Sequence, residues 1–224
     1  MSGWLADDEL SKEARASQGW TGAMAMPHEL FVQETTNVVS AFMTPLDKLP
    51  SFQTQAAADG TYTVWTLGQQ PLAEVQGARG QSVAFENMKR SLVWELDLVA
   101  NVEKAQKVTL TLSFAQGESI TSTLTEGHAT IEYTPSEELL LIRRHESTND
   151  QTINTLTDHG KHTLFRKKTG LEALHLRVFY DTSILKVFAN DRCVITSRLY
   201  AGACSAALDV QGEVQDYNVS VWAK

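Results

Sequence analysis

From residue 92 onward, apolar and polar side chains alternate with a period of two. In Leu92–Leu98 the even positions are Leu, Trp, Leu and Leu, while Glu95 and Asp97 take odd ones. Val108, Leu110, Leu112 and Phe114 share one parity, and the hydroxyls of Thr109, Thr111 and Ser113 share the other. Successive side chains of a strand point to opposite faces, so each run predicts a strand with one apolar and one wet face. The pattern returns at Ala129–Thr134, Glu138–Arg143, Leu174–Tyr180, Ile184–Ala189, Cys193–Ser197 and Tyr217–Trp222. Turn residues separate the runs: Gln116-Gly117-Glu118, Glu126-Gly127, Thr134-Pro135-Ser136, Asn190-Asp191, Gly202 and Gln211-Gly212. Many short alternating strands with almost no helix predict an all-β fold, a two-sheet antiparallel β-sandwich.

The first sixty residues read differently. Residues 7–17 hold acidic residues followed by basic ones, which suits a short helix. Gly19-Trp20-Thr21-Gly22 breaks it. Residues 23–33 read as extended, and Pro27 keeps that segment at an edge or a bulge. Residues 42–60 read as a connector. The polar stretch Arg143–Lys168, with His145–Gln151 at its start, reads as a long surface loop, either a binding loop or a solvated connector.

Composition narrows the partners. The 224 residues carry a formal net charge of −8, a pI near 5.2 and a mean hydropathy of −0.22. Nucleic acid and anionic membrane surfaces need clustered positive charge, so both are poor partners for this chain. No apolar run reaches membrane-spanning length, and the first residues have neither a basic nor an apolar signal-peptide region. The sequence as it stands therefore reads as cytoplasmic; a chain cut from a secreted precursor would look the same at this end. Cys193 and Cys204 read as two semi-buried thiols, with a bridge between them left open.

Catalytic motifs are absent. There is no Gly-x-Ser-x-Gly elbow and no phosphate-cradling glycine loop. His159 and His162 have ligand-like spacing, but Lys161, Arg166, Lys167 and Lys168 beside them oppose a cation, so neither a metal nor a cofactor is expected. Trp222, on the polar parity of the last strand, and Tyr200, at a strand end, are the weak candidates for a sugar-stacking platform; a semi-buried aromatic is the alternative for each.

Two segments carry a resemblance. The run Leu176–Tyr200 is similar to the signature of the C-terminal sandwich of glycoside hydrolase family 32, roughly Asp-x-Ser-x-x-Glu-x-Phe-x-Asn-Asp-Gly followed by Thr-Ser-Arg. Asp181, Ser183, Phe188, Asn190, Asp191, Thr196, Ser197 and Arg198 match it. Upstream, Trp20, Gly22, Pro27 and Glu29 match a Gly-Trp-x-Gly-x-x-x-x-Pro-Arg-Glu-Leu segment, which in that family closes a five-bladed catalytic propeller. The two matches stand in the family's order. His28 stands where the family has Arg, Lys186 where it has Glu, and Arg192 where it has the turn Gly.

The resemblance implies a division into residues 1–36 as the remnant of a propeller end, 37–60 as a linker and 61–224 as the sandwich. It also implies fructose-containing sugars as the parent enzyme's substrates. Family chemistry needs two carboxylates, supplied by Asn-Asp-Pro-Asn-like and Glu-Cys motifs. Neither occurs: Asn149-Asp150 and Asn190-Asp191 are not followed by Pro, and Arg192 and Ala203 precede the cysteines. No catalytic residue is transferred. Three readings stay open: a non-catalytic part of such an enzyme that supports a propeller (in a separate chain or its own), shapes the cleft edge or makes a homodimer contact, a stand-alone lectin-like module, and an inactive truncated product. The first makes Trp20, Met24, Met26, Leu30 and Phe31 an apolar edge, to be met by a partner chain or by an N-terminus folded onto the sandwich.

Overall fold

The structure, a computed structural model, describes residues 1–8, 10–49, 52–114, 127–144, 157–200, 204–213 and 216–223. The expected turns at Gln116–Glu118 and Gly202, together with His145–Gln151 of the polar stretch, lie outside the described residues. The far end of that stretch is not a surface loop: it holds the strands Asp158–Lys161 and Phe165–Lys167, with Leu164 and Phe165 fully buried.

Helix α1 (Lys12–Gln18) stands between β1 (Trp4–Leu5) and β2 (Ala23–Met24). Next come β3 (His28–Ala41), β4 (Gln53–Ala56), β5 (Tyr62–Pro71), the short helix α2 (Ala73–Gly77), β6 (Gln81–Val83), β7 (Val93–Ala100) and β8 (Lys104–Phe114). The chain continues through β9 (Gly127–Thr134), β10 (Leu139–Arg143), β11 (Asp158–Lys161), β12 (Phe165–Lys167), β13 (Gly170–Leu171) and β14 (Leu174–Asp181). It ends with β15 (Ile184–Ala189), β16 (Cys193–Arg198), β17 (Cys204–Glu213) and β18 (Tyr217–Ala223).

Two antiparallel sheets form the sandwich, in the orders β11-β10-β9-β8-β17 and β16-β15-β14-β7-β18-β6. Their facing parities are those expected from alternation: Trp94, Leu96 and Leu98 of β7 meet Leu110, Leu112 and Ile131 of the other sheet in one buried cluster. Glu95, on the opposite parity, points away to an ion pair with Arg79.

A third antiparallel sheet, β13-β12-β3-β5-β4, goes beyond the two expected. The segment read as a connector contains β4, which pairs with β5 from Gln53–Trp65 to Ala56–Tyr62. β3 runs unbroken through residue 36, with a register shift between Thr35 and Val38 where Asn37 adopts φ 59°. The inner face of this sheet covers the outer face of β14 and β15. Gln69 N–H donates to Asp191 O at 2.7 Å, Gln33 Nε2 donates to Asn190 O at 3.3 Å, and the His28 ring meets Phe188 edge-on. Gly68, opposite Phe31, makes room for it: a Cβ there would stand 2.6 Å from the Phe31 ring.

The helix is shorter than expected. It starts only at Lys12, capped by the Ser11 hydroxyl accepting from Ala14 N–H, and ends where Gly19 takes φ 78°. Asp7, read as part of that helix, is instead buried against the sandwich.

Candidate functional site

The signature residues sit on β14, β15 and β16 and on the two turns between them. In the second turn Asn190 and Asp191 have φ 47° and 54°, the doubly positive geometry expected of this pair. Arg192, where the family has Gly, is not in the left-handed region, so no glycine is needed there. Its guanidinium bonds Glu172 and Thr163 O and lies 4.6 Å from the Phe165 ring centre.

Asn190 ties three segments together. Its Oδ1 accepts from His175 N–H at 3.1 Å and lies 3.0 Å from His162 Nε2, and its Nδ2 donates to Ala173 O at 2.8 Å. Asp191 accepts from Arg177. His162 is thus a buried structural histidine, and burial followed by the nearby Arg192 charge pushes its pKa down to about 3. His159 is exposed on β11. Among the described residues no group of three His, Cys, Asp or Glu side chains is placed to hold a metal ion.

Ser183 and Arg198 form the other half of the constellation. Arg198 Nε and Nη2 donate to Asp7 Oδ1 at 3.0 and 2.7 Å, and Nη1 donates to the Ser183 hydroxyl. Asp7 also accepts from Gly22 N–H at 2.5 Å and from the Tyr200 hydroxyl at 3.2 Å. The Trp20 ring lies 5.3 Å from the Arg198 guanidinium carbon. Trp20 and Gly22 from the upstream match therefore meet Ser183 and Arg198 from the downstream one. Ser197 donates to Asp158.

His28 and Lys186, two of the three departures from the family pattern, are in contact. Lys186, 1% exposed, donates from Nζ to Met26 O at 2.6 Å and lies 2.8 Å from His28 Nδ1. Burial lowers the Lys186 pKa to about 8, while burial and then the Lys186 charge lower that of His28. Pro27 and Glu29 flank His28; Glu29 accepts from Gln70 Nε2 at 3.0 Å on the surface.

The two aromatic candidates differ in setting. Tyr200 is 2% exposed, with its hydroxyl on Asp7, and offers no open ring. Trp222 is half-buried, with the Arg79 guanidinium 3.9 Å from its ring centre, and it lines a cavity of about 400 Å³. That cavity lies between Met26-Pro27, α2 and strands β7, β14 and β18. Alternation alone could not reveal it, because α2 and Arg79 reach it from a segment without periodicity. Cys193 and Cys204 are both buried and unbridged.

Comparison with known proteins follows the same lines. A family model described as Glycosyl hydrolases family 32 C terminal matches residues 67–223. The solved fructosyltransferase from A. japonicus is 22% identical with a TM-score of 0.77, the match covering 100% of this chain and 40% of that one. A beta-fructofuranosidase from Aspergillus kawachii, solved with glycerol, is 20% identical with a TM-score of 0.76, covering 99% of this chain and 41% of that one. An exo-inulinase from Aspergillus awamori is 17% identical with a TM-score of 0.57, covering 91% and 36%. The chain thus spans about two fifths of the length of the solved proteins it resembles. No curated protein matches it.

Proposed function

Because this chain belongs to the glycosyl hydrolase family 32 C-terminal family, we propose that it is the non-catalytic sandwich part of a fructan- or sucrose-cleaving hydrolase and acts by supporting a catalytic propeller. The observation that carries this reading is an apolar stripe on the outer face of the third sheet. Leu30 and Val32 of β3 and Leu67 of β5, directly opposite Val32, are 45, 74 and 56% exposed. They share one face with Trp65 and Glu34, which are hydrogen-bonded at 2.8 Å. Contiguous exposed apolar side chains on a sheet mark a surface meant to be covered. Trp4, Trp20 and Met24, on and beside the β1–β2 pair, extend the exposed apolar surface of the same N-terminal segment. That segment is itself anchored to the sandwich through Asp7 and Arg198, which gives a docking partner a fixed platform.

No observation favours the lectin-like reading. One of its two aromatic platforms is buried and the other lies under a guanidinium.

The test has two arms. The purified chain is incubated with sucrose and with inulin, and fructose release is measured; none is expected, and turnover by this chain alone would overturn the reading. In the second arm a family propeller expressed without its sandwich is co-expressed with this chain. Co-purification that is lost in Val32→Asp is expected. Absence of any association would remove the supporting role.

A further inference from the structure

The cavity beside Trp222 is a concave feature that the propeller-support reading leaves unused. Its volume of about 400 Å³ lies in the range of small-molecule sites. Met26, Leu72, Val75, Phe179 and Trp222 give it apolar walls. Its charged lining is Glu74, Arg79, Glu95 and Asp181. Arg79 and Glu95 satisfy each other through two parallel hydrogen bonds, Nε to Oε2 at 2.8 Å and Nη2 to Oε1 at 2.7 Å. Glu74 and Asp181 remain, and no cation among the described residues pairs with either. Among the described residues the Asp181 carboxylate accepts only from the Thr182 hydroxyl, at 3.2 Å. It is also the one signature residue of its turn that the Asp7–Arg198 and Asn190 networks do not use.

From this arrangement we infer that the cavity binds a small amphipathic cation, an amine or amidine on an aryl or branched alkyl body. The body fills the apolar walls, and the charged head lies between the Glu74 and Asp181 carboxylates. Three carboxylates against one guanidinium leave the lining net negative, so an anion is repelled. A sugar is disfavoured as well: most of its hydroxyls would face Met26, Leu72, Val75 and Phe179 and lose their water partners without replacement. The inference goes beyond the propeller-support reading and holds whether or not a propeller chain docks on the third sheet.

The test is a titration of the whole chain with phenethylamine, followed by calorimetry and by Trp fluorescence, with phenethyl alcohol, hydrocinnamate and fructose in parallel. The amine is expected to bind in roughly the millimolar range or tighter, the alcohol about five-fold more weakly, and the carboxylate and fructose not at all, as suits solvent-exposed charge pairing added to apolar contact. Glu74→Gln, an exposed change on α2, and Asp181→Asn are each expected to weaken the amine about five-fold and to leave the alcohol unchanged. Val75→Trp is expected to abolish both. Equal binding of amine and alcohol, indifference to both carboxylate substitutions, preferential binding of fructose, or no binding of the amine would each overturn the assignment.

Discussion

His28 Nδ1 lies 2.8 Å from Lys186 Nζ across the contact between the third sheet and the sandwich. Read singly, each is a departure from the family pattern. In contact they are one change: a position with Arg and a position with Glu have become a neutral acceptor and a buried ammonium. The neutral form of His28 with its proton on Nε2 is the form that accepts this bond. His28→Arg alone would put two cations together out of water and is expected to cost about 3 kcal/mol. Adding Lys186→Glu should return most of that loss, giving a coupling of at least about 2 kcal/mol in a double-mutant cycle read by urea denaturation.

Stability should fall in acid. His162 and His28 both have folded pKa values below their ordinary one, so the unfolded chain takes up protons that the folded chain refuses. The loss begins as pH drops through about 6.5 and, for His162, continues towards its folded value of about 3, each histidine adding a slope of up to about 1.4 kcal/mol per pH unit. Urea midpoints at pH 7 and pH 5 measure it (the slope should flatten in His162→Asn). Lys186 acts at the other end: with a folded pKa of about 8, it makes stability rise with pH between about 8 and its unfolded value near 10.5.

Asp7 is the keystone of the N-terminal anchor. Asp7→Ala leaves Arg198 buried without its carboxylate and is expected to destabilise by about 3 to 5 kcal/mol. Limited proteolysis should then cut within the first thirty residues before the sandwich is touched. Arg198→Lys should not restore the anchor, because an ammonium cannot present the Nε and Nη2 donors together.

The two cysteines should be silent in the native protein. Burial raises their pKa values to about 11 and about 12, and neither is bridged. Thiol titration should find no reactive group at pH 8 before denaturation and two afterwards.

Val32→Asp should leave stability within about 0.5 kcal/mol of the parent, because Val32 is exposed and on the outer parity of its strand. A thermal melt checks this and makes the loss of propeller association in the same variant interpretable.

What could be read from the residues was what depends on neighbours in sequence. The strands β7 to β10, β14 to β16 and β18 announce themselves by alternation, and the Asn190-Asp191 turn by its tolerance of positive φ. β17 escaped notice because its small residues Ala206 and Ala207 blur the alternation, and because Gly212, which reads as a turn, is a bulge inside the strand at φ 95°. The third sheet escaped for another reason. β3 finds β12 from the far side of the chain, pairing Phe165 with Ala41, and no local pattern encodes that meeting. Asp7 is likewise an ordinary charge in sequence, and Arg198 is marked there only by its match to the signature, with nothing to name its partner. Only the fold, which brings them to 2.7 Å, makes them an anchor.

The place of β18 has a consequence for synthesis. It lies between β7 and β6, pairing Val221 with Leu96 on one side and with Val83 on the other. β6 therefore emerges from the ribosome long before β18, its partner among the described strands, and β7 waits nearly as long for its second neighbour. A nascent chain stalled before residue 217 would hold an unfinished six-stranded sheet with a bare ladder at its middle, the form in which this protein is most open to chaperones and to mispairing with a second copy.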